Sequence, residues 1–195
     1  MIAGVDEVGR GCLAGPVIAA SVILKRPIEG LMDSKKLSSK KRENLCQAII
    51  ENSIFAIGAA DNQEIDKINI LQASLLAMRR SLEKLDLKPR KVLVDGTHIF
   101  ETSIEIESIV RGDNLIPSIS AASIVAKVFR DRLMMAYSKE FPNYGFDKHK
   151  GYPTKLHKEM LKKYGLTSIH RRTFKGVNQW KVHLLICGFH QNIAY

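Results

Sequence analysis

The sequence predicts an α/β fold, a mixed sheet flanked by helices, and three observations carry that expectation. Short β-branched runs come early, at 2–5, 16–24 and 53–60. Segments of helical period follow them and separate the later runs. Two of the runs end at acids followed by glycine, Asp6-Glu7 before Gly9 and Asp95 before Gly96. Strands and helices interleaved in this way build a sheet with helices on its faces.

The elements read in order. Residues 2–5 form a short apolar strand, followed by the turn Gly9-Arg10-Gly11. Residues 16–24 (PVIAASVIL) and 53–60 (SIFAIGAA) are further strands, and Ser38-Ser39 open a helix running to Ile50 between them. Apolar residues at 71, 75, 76, 78, 82 and 85 give a helix over 70–85, with Pro89 beyond its end. Residues 91–96 (KVLVDG) read as a buried strand, and 103–110 (SIEIESIV) alternate as a half-exposed one. Pro117 opens a long helix to about Tyr137, 143–153 reads as a loop, and Thr154 caps a helix to Tyr164.

A chain of 195 residues has room for one domain with a real core. Thirty Lys and Arg against twenty Asp and Glu leave a net charge of +10, a balance that suits a polyanionic partner. The three cysteines, Cys12, Cys46 and Cys187, are odd in number and widely spaced. That argues against a disulfide framework or a zinc knuckle and for a reducing cytoplasm. No apolar stretch reaches the roughly 18 residues needed to span a bilayer.

The acids are the first candidates for chemistry. Asp95 closes an apolar strand, where a carboxylate is costly unless paired. Asp6 and Glu7 close the first strand, and Asp113 follows the strand ending near Val110. Acids after three separate strands could converge on one or two divalent ions. Hard cations such as Mg²⁺ take oxygen ligands, and a pair of them can drive phosphodiester hydrolysis. A turn-forming Asp-Gly and a helix-capping Asp113 remain the plainer readings. Asp131 reads as a helix ion pair rather than a fifth ligand.

The basic residues are the second. Residues 148–181 hold ten Lys or Arg and one acid, Glu159, which reads as a phosphate-tracking surface. A smaller basic stretch over 25–43 includes Lys35. Gly9-Arg10-Gly11 could bring backbone amides close to a ribose-phosphate, and Tyr152 could stack on a sugar or base. The histidines lack metal-ligand spacing, and His149 and His170 read as ordinary surface residues.

Together these segments resemble ribonuclease HII. The resemblance runs from Gly4 to about Phe174 through GVDEVGRG (4–11), LAGPV (13–17), DSKKLS (33–38), EIDKINIL (64–71), VDG (94–96), RGDN (111–114), ISAASIVAKVFRD (119–131), YGFDKHKGYPT (144–154) and HRRTF (170–174). It implies a ribonuclease H-like mixed five-stranded sheet flanked by helices, with a C-terminal helical segment. It implies two-metal hydrolysis with Mg²⁺ or Mn²⁺ of the RNA strand of RNA–DNA hybrids, and nicking of duplex DNA 5′ to single embedded ribonucleotides. The products would be 5′-phosphate and 3′-hydroxyl ends. Asp6, Glu7, Asp95 and Asp113 would be the catalytic metal set. Gly9, Arg10 and Gly11 would read the 2′-hydroxyl, Tyr152 would stack on the following deoxyribose, and Lys35 and Lys127 would contact phosphate.

The expected organisation is a catalytic domain over 1–181 with an apolar tail over 182–195, acting as a monomer. Gln179 and Val182 begin a sliding-clamp motif, but Leu185 and Ile186 stand in its aromatic positions, which argues against clamp contact. The alternatives are a type 3 ribonuclease H acting on long hybrids, a metal-free ribonuclease, and a non-catalytic hybrid-binding module.

Overall fold

The structure, a computed structural model, describes residues 1–31 and 37–180. Five strands form one sheet: β1 (Ile2–Val8), β2 (Val17–Leu24), β3 (Ser53–Ala60), β4 (Lys91–Asp95) and β5 (Glu105–Ile109). Their order across the sheet is β3-β2-β1-β4-β5. The β1–β2 and β2–β3 pairs are antiparallel, while β1–β4 and β4–β5 are parallel. The expected mixed five-stranded sheet is therefore present.

Helices cover both faces, because β1 and β2 are apolar on both sides. One face packs Ala3, Val5, Ala19 and Ile23 against Ala73, Ala77 and Met78 of α2 (Asn62–Glu83). The other packs Val8, Ala20 and Val22 against α1 (Ser39–Glu51) and α4 (Pro117–Glu140). Gly4 lies on the α4 face, and a methyl group there would sit 2.1 Å from the Ser118 carbonyl carbon. Only glycine lets helix and strand approach this closely.

Helix α2 begins eight residues before the expected start. Asp61 and Glu64 form a capping box, each side chain accepting the other's backbone N–H. At Asn69 the backbone turns left-handed (φ 67°), and its Oδ1 accepts from Leu71 N and Gln72 N. The start expected at 70 is thus a second cap inside a kinked helix. Thr154 does cap α6 (Lys155–Tyr164), accepting from His157 N.

The segment expected as a loop over 143–153 carries a 3₁₀ turn (Pro142–Tyr144) and a short helix, α5 (Phe146–His149). Left-handed residues at Gly145 and Lys150 bound α5, so its single turn leaves no periodic signature. Its rings build a third core of Tyr144, Phe146, Met134 and Ile169. Lys35 and the tail over 182–195 lie outside the described residues. Among the described residues, no helix is long and apolar enough to cross a membrane.

His149 and His170 correct the sequence reading, for both are buried, as is His157. His149 and His157 stack with centroids 4.3 Å apart, and Nε2 of His157 lies 3.0 Å from Nε2 of His170. Rings with two polar atoms can join an aromatic core when neighbouring backbone and hydroxyl groups satisfy them. Burial pulls His157 down to about 4 and His170 to about 3. Both folded values lie below the ordinary 6.5, so the unfolded chain binds protons first as pH falls. Stability should be complete well above pH 6.5 and decline progressively to about pH 4 for His157 and pH 3 for His170, by on the order of 2 kcal/mol per histidine at pH 5. Thermal midpoints measured at pH 7, 6 and 5 check this, and a flat profile would contradict it.

Candidate active site

The parallel pairing of β1 with β4 sets the site. Val5 stands opposite Val94, so Asp6 and Asp95 come next to each other where this pairing stops; β1 itself runs on to Val8, so Asp6 and Glu7 lie within the strand rather than closing it. From β5 the chain turns through Arg111, left-handed at φ 57°, into the short helix α3 (Gly112–Leu115). This brings Asp113 N to 3.3 Å from Asp95 Oδ1. The Ser120 hydroxyl of α4 donates to the Asp113 carbonyl at 2.5 Å, tying α3 to the long helix.

Asp6 is buried beneath α4 and accepts hydrogen bonds from the Ser123 hydroxyl and from Glu7 N, the latter at 2.7 Å. Burial raises its pKa well above the usual carboxylate value, and the nearby Glu7 and Asp95 charges push the same way. Glu7 follows on the last part of β1 and turns its carboxylate to Arg10, with Oε1 3.2 Å from Nη1. Asp113 Oδ1 accepts from Asn114 Nδ2 at 2.7 Å. The four acids thus gather at one end of the sheet. Yet among the described residues, no three Asp, Glu, His or Cys side chains stand drawn together as a metal centre. Their chemistry still fits a divalent cation. Negative charges close enough to raise the Asp6 pKa would be stabilised by a cation held among them.

The turn at 9–11 lies directly beyond. Gly9 has φ +96°, and a Cβ on it would stand 2.2 Å from Arg130 Nε. A Cβ on Gly11 would meet nothing within 4 Å, so that side of the turn is open. Tyr152 is half-buried nearby. Its hydroxyl shares a hydrogen bond with the Cys12 thiol, and Lys127 Nζ lies 5.7 Å from its ring centroid. Lys127 is held by Asp131 at 2.7 Å, the i,i+4 ion pair expected for that acid. Asp131 also faces Arg42 at 3.7 Å, and Arg42 Nη2 donates to the Leu37 carbonyl.

The basic surface loses one expected member. Arg171 is fully buried, whereas Lys148, Lys155, Lys158, Lys162, Lys163, Arg172 and Lys175 are exposed. Lys158 and Lys175 line a cavity shared with Gly11 and Pro153, so this surface runs up to the glycine turn.

Sequence reasoning passed over Ser123, Arg130 and Arg171. One signal for Arg130 was available: Ala122, Ala126, Arg130 and Met134 recur every four residues on the buried face of α4. Arg171 sits in an irregular segment with no period to expose it.

A mixed sheet that gathers acids at the ends of its central parallel strands defines the class, a metal-dependent hydrolase of the ribonuclease H kind. The family model for ribonuclease HII matches residues 3–177. A ribonuclease HII of Coxiella burnetii is 53% identical over 187 residues, covering 94% of this chain and 93% of its own. The chain belongs to the ribonuclease HII family. Among solved structures, ribonuclease H2 from Pyrococcus horikoshii OT3 superposes with a TM-score of 0.78 at 28% identity, covering 94% of this chain and 98% of that one. Bst-RNase HIII in complex with Mn²⁺ shares the fold, with a TM-score of 0.69 at 17% identity over 93% of this chain and 69% of that one.

Proposed function

We propose that the chain hydrolyses the RNA strand of RNA–DNA hybrids and nicks duplex DNA on the 5′ side of a single embedded ribonucleotide. The observation that carries this reading is the placement of Asp6, Asp95 and Asp113 at one end of the sheet, Asp6 beside Asp95 and the Asp113 amide on Asp95, next to an open glycine turn. Two bound Mg²⁺ or Mn²⁺ ions would supply the charge that acidifies water and neutralises the scissile phosphate. Asp6, Glu7, Asp95 and Asp113 would hold them. Ser123 keeps Asp6 oriented through its hydroxyl. Asp95 is oriented by the Asp113 amide.

Gly9, Arg10 and Gly11 would read the ribose, because a 2′-hydroxyl is what separates RNA from DNA at one nucleotide. Tyr152 offers its ring to the next sugar, with Lys127 and Arg130 beside it. Lys127 and Lys35 would contact phosphate, and the exposed lysines of α6 would follow the duplex. Residues 1–181 form the catalytic unit, a monomer, with the tail outside it. Two buried free thiols, Cys12 and Cys46, suit a reducing cytoplasm.

The test is a DNA duplex carrying one ribonucleotide, incubated with Mg²⁺ and sequenced at its new ends. A nick 5′ to the ribonucleotide, with 5′-phosphate and 3′-hydroxyl termini, is expected. Cleavage of a long hybrid without nicking of this duplex would favour type 3 activity.

A further inference from the structure

Two arginines lie wholly buried under the glycine turn, and among the described residues neither forms an ion pair. Burying a guanidinium without a counter-charge is costly, and here it pulls Arg171 down to about 10. Both spend their donors on backbone carbonyls. Arg171 donates from Nε to Gly15 O (3.0 Å), from Nη1 to Arg10 O (2.9 Å) and from Nη2 to Gly9 O (2.7 Å). Arg130 donates from Nε to Pro16 O (3.0 Å), from Nη1 to Lys150 O (2.8 Å) and from Nη2 to Ala14 O (3.1 Å).

The consequence follows from peptide planarity. Among the described residues there is no cis peptide bond. In a trans peptide the C=O of one residue and the N–H of the next point in opposite directions. Arg171 draws the carbonyls of Gly9 and Arg10 inward, so the N–H groups of Arg10 and Gly11 must face outward. Cys12 N also donates to Gly9 O at 3.3 Å, closing a turn with Arg10 and Gly11 at its centre. Among the described residues, neither of the two outward amides has an acceptor. Above Gly11 there is open space.

We propose that Arg171 is a positioning residue for ribose recognition: its three carbonyl bonds aim the Arg10 and Gly11 amides at the sugar edge of a bound nucleotide. This rests on the ribonucleotide-reading function proposed above. The role requires a planar fork rather than a positive charge. A lysine ammonium is a point donor on a flexible stem and cannot span three fixed carbonyls in one plane. Arg130 complements it by binding the Lys150 carbonyl two residues before Tyr152, which fixes the distance between the amide pair and the ring. The guanidinium behind the turn also polarises the two peptide units, strengthening their N–H groups as donors.

The test is binding in excess chelator, so that nothing is cut. Two duplexes are compared that differ by one 2′-hydroxyl. Wild-type protein should prefer the ribonucleotide duplex. Arg171→Lys should reduce that preference by about tenfold, or to none, while binding of the all-deoxy duplex stays within about twofold. A merely structural role would weaken both duplexes together and leave their ratio intact, and that result overturns the inference. Should Arg171→Lys fail to fold, the wild-type amide resonances decide. Those of Arg10 and Gly11 should shift differently with the two duplexes, and identical shifts overturn it. Wild-type protein with no preference at all would remove the ribonucleotide-reading function itself, and this role with it. A wild-type preference that persists in the variant removes this role alone.

Discussion

Asp95→Asn is expected to abolish cleavage while leaving hybrid binding intact. The substitution keeps the shape of the side chain and one oxygen able to accept from Asp113 N, now 3.3 Å from Oδ1. What it removes is the charge. If a divalent ion supplies several kcal/mol of charge stabilisation to the reacting phosphate, weakening its site should lower kcat by about a thousandfold. On the proposed function, binding would run mainly through the basic surface and the glycine turn, so the dissociation constant should change little.

Stability should move the other way. The Asp95 charge is one cause of the raised Asp6 pKa. Removing a like charge relieves repulsion in the folded state, so the thermal midpoint should hold or rise. Loss of activity together with an unchanged or higher midpoint is the mark of a residue kept for chemistry rather than for folding. Retained cleavage would remove Asp95 from the metal set. Wild-type protein that binds hybrids and never cuts them would instead support a binding module.

Gly4→Ala should damage folding and activity together. Its methyl group would meet the Ser118 carbonyl carbon at 2.1 Å, Ile119 N at 2.3 Å and Ser118 O at 2.4 Å. All three are backbone atoms near the start of α4, and backbone cannot rotate away as a side chain can. Overpacking costs roughly 1–3 kcal/mol where side chains yield, and more where they cannot; about 3 kcal/mol or more is expected here. Helix and strand must separate. Ser123 on α4 would then move off Asp6, and Ser120 would drag the α3 turn that carries Asp113. Chemical denaturation should show a lower midpoint, and residual folded protein should cleave poorly. A variant as stable as wild type would contradict the close packing described.

How much the sequence disclosed depended on the kind of signal. Strands β1 and β2 were legible because their apolar runs are largely buried on both faces, and edge strand β3 because its apolar run is bounded by turn residues, though it is only partly buried. The acids at strand ends stood out because a carboxylate there conflicts with burial. The early half of α2 was missed although Asp61 and Glu64 spell a capping box, since Asn69 interrupts the period with a left-handed residue. His149 and His170 were misjudged, and His157 was passed over, because a polar ring carries no mark of burial. Their partners, Tyr144, Gly151, Tyr152 and Thr167, are contacts of backbone and hydroxyl groups. Arg130 and Arg171 hid for a related reason. Charge usually signals surface, and carbonyl acceptors are present at every residue, so nothing in a sequence marks the six that these two side chains bind. The glycine turn was readable as a place where backbone amides could approach a ribose-phosphate. What holds it rigid was not.

Asp6, Glu7 and Asp95 on the central strands, with Asp113 on α3, should act only through a divalent cation, and metal depletion is the test. An RNA–DNA hybrid is incubated with the protein in excess chelator, and Mg²⁺ or Mn²⁺ is then restored. No cleavage before restoration, with full cleavage to 5′-phosphate ends after it, is the predicted result. Undiminished cleavage in chelator, leaving cyclic phosphate ends, would contradict it.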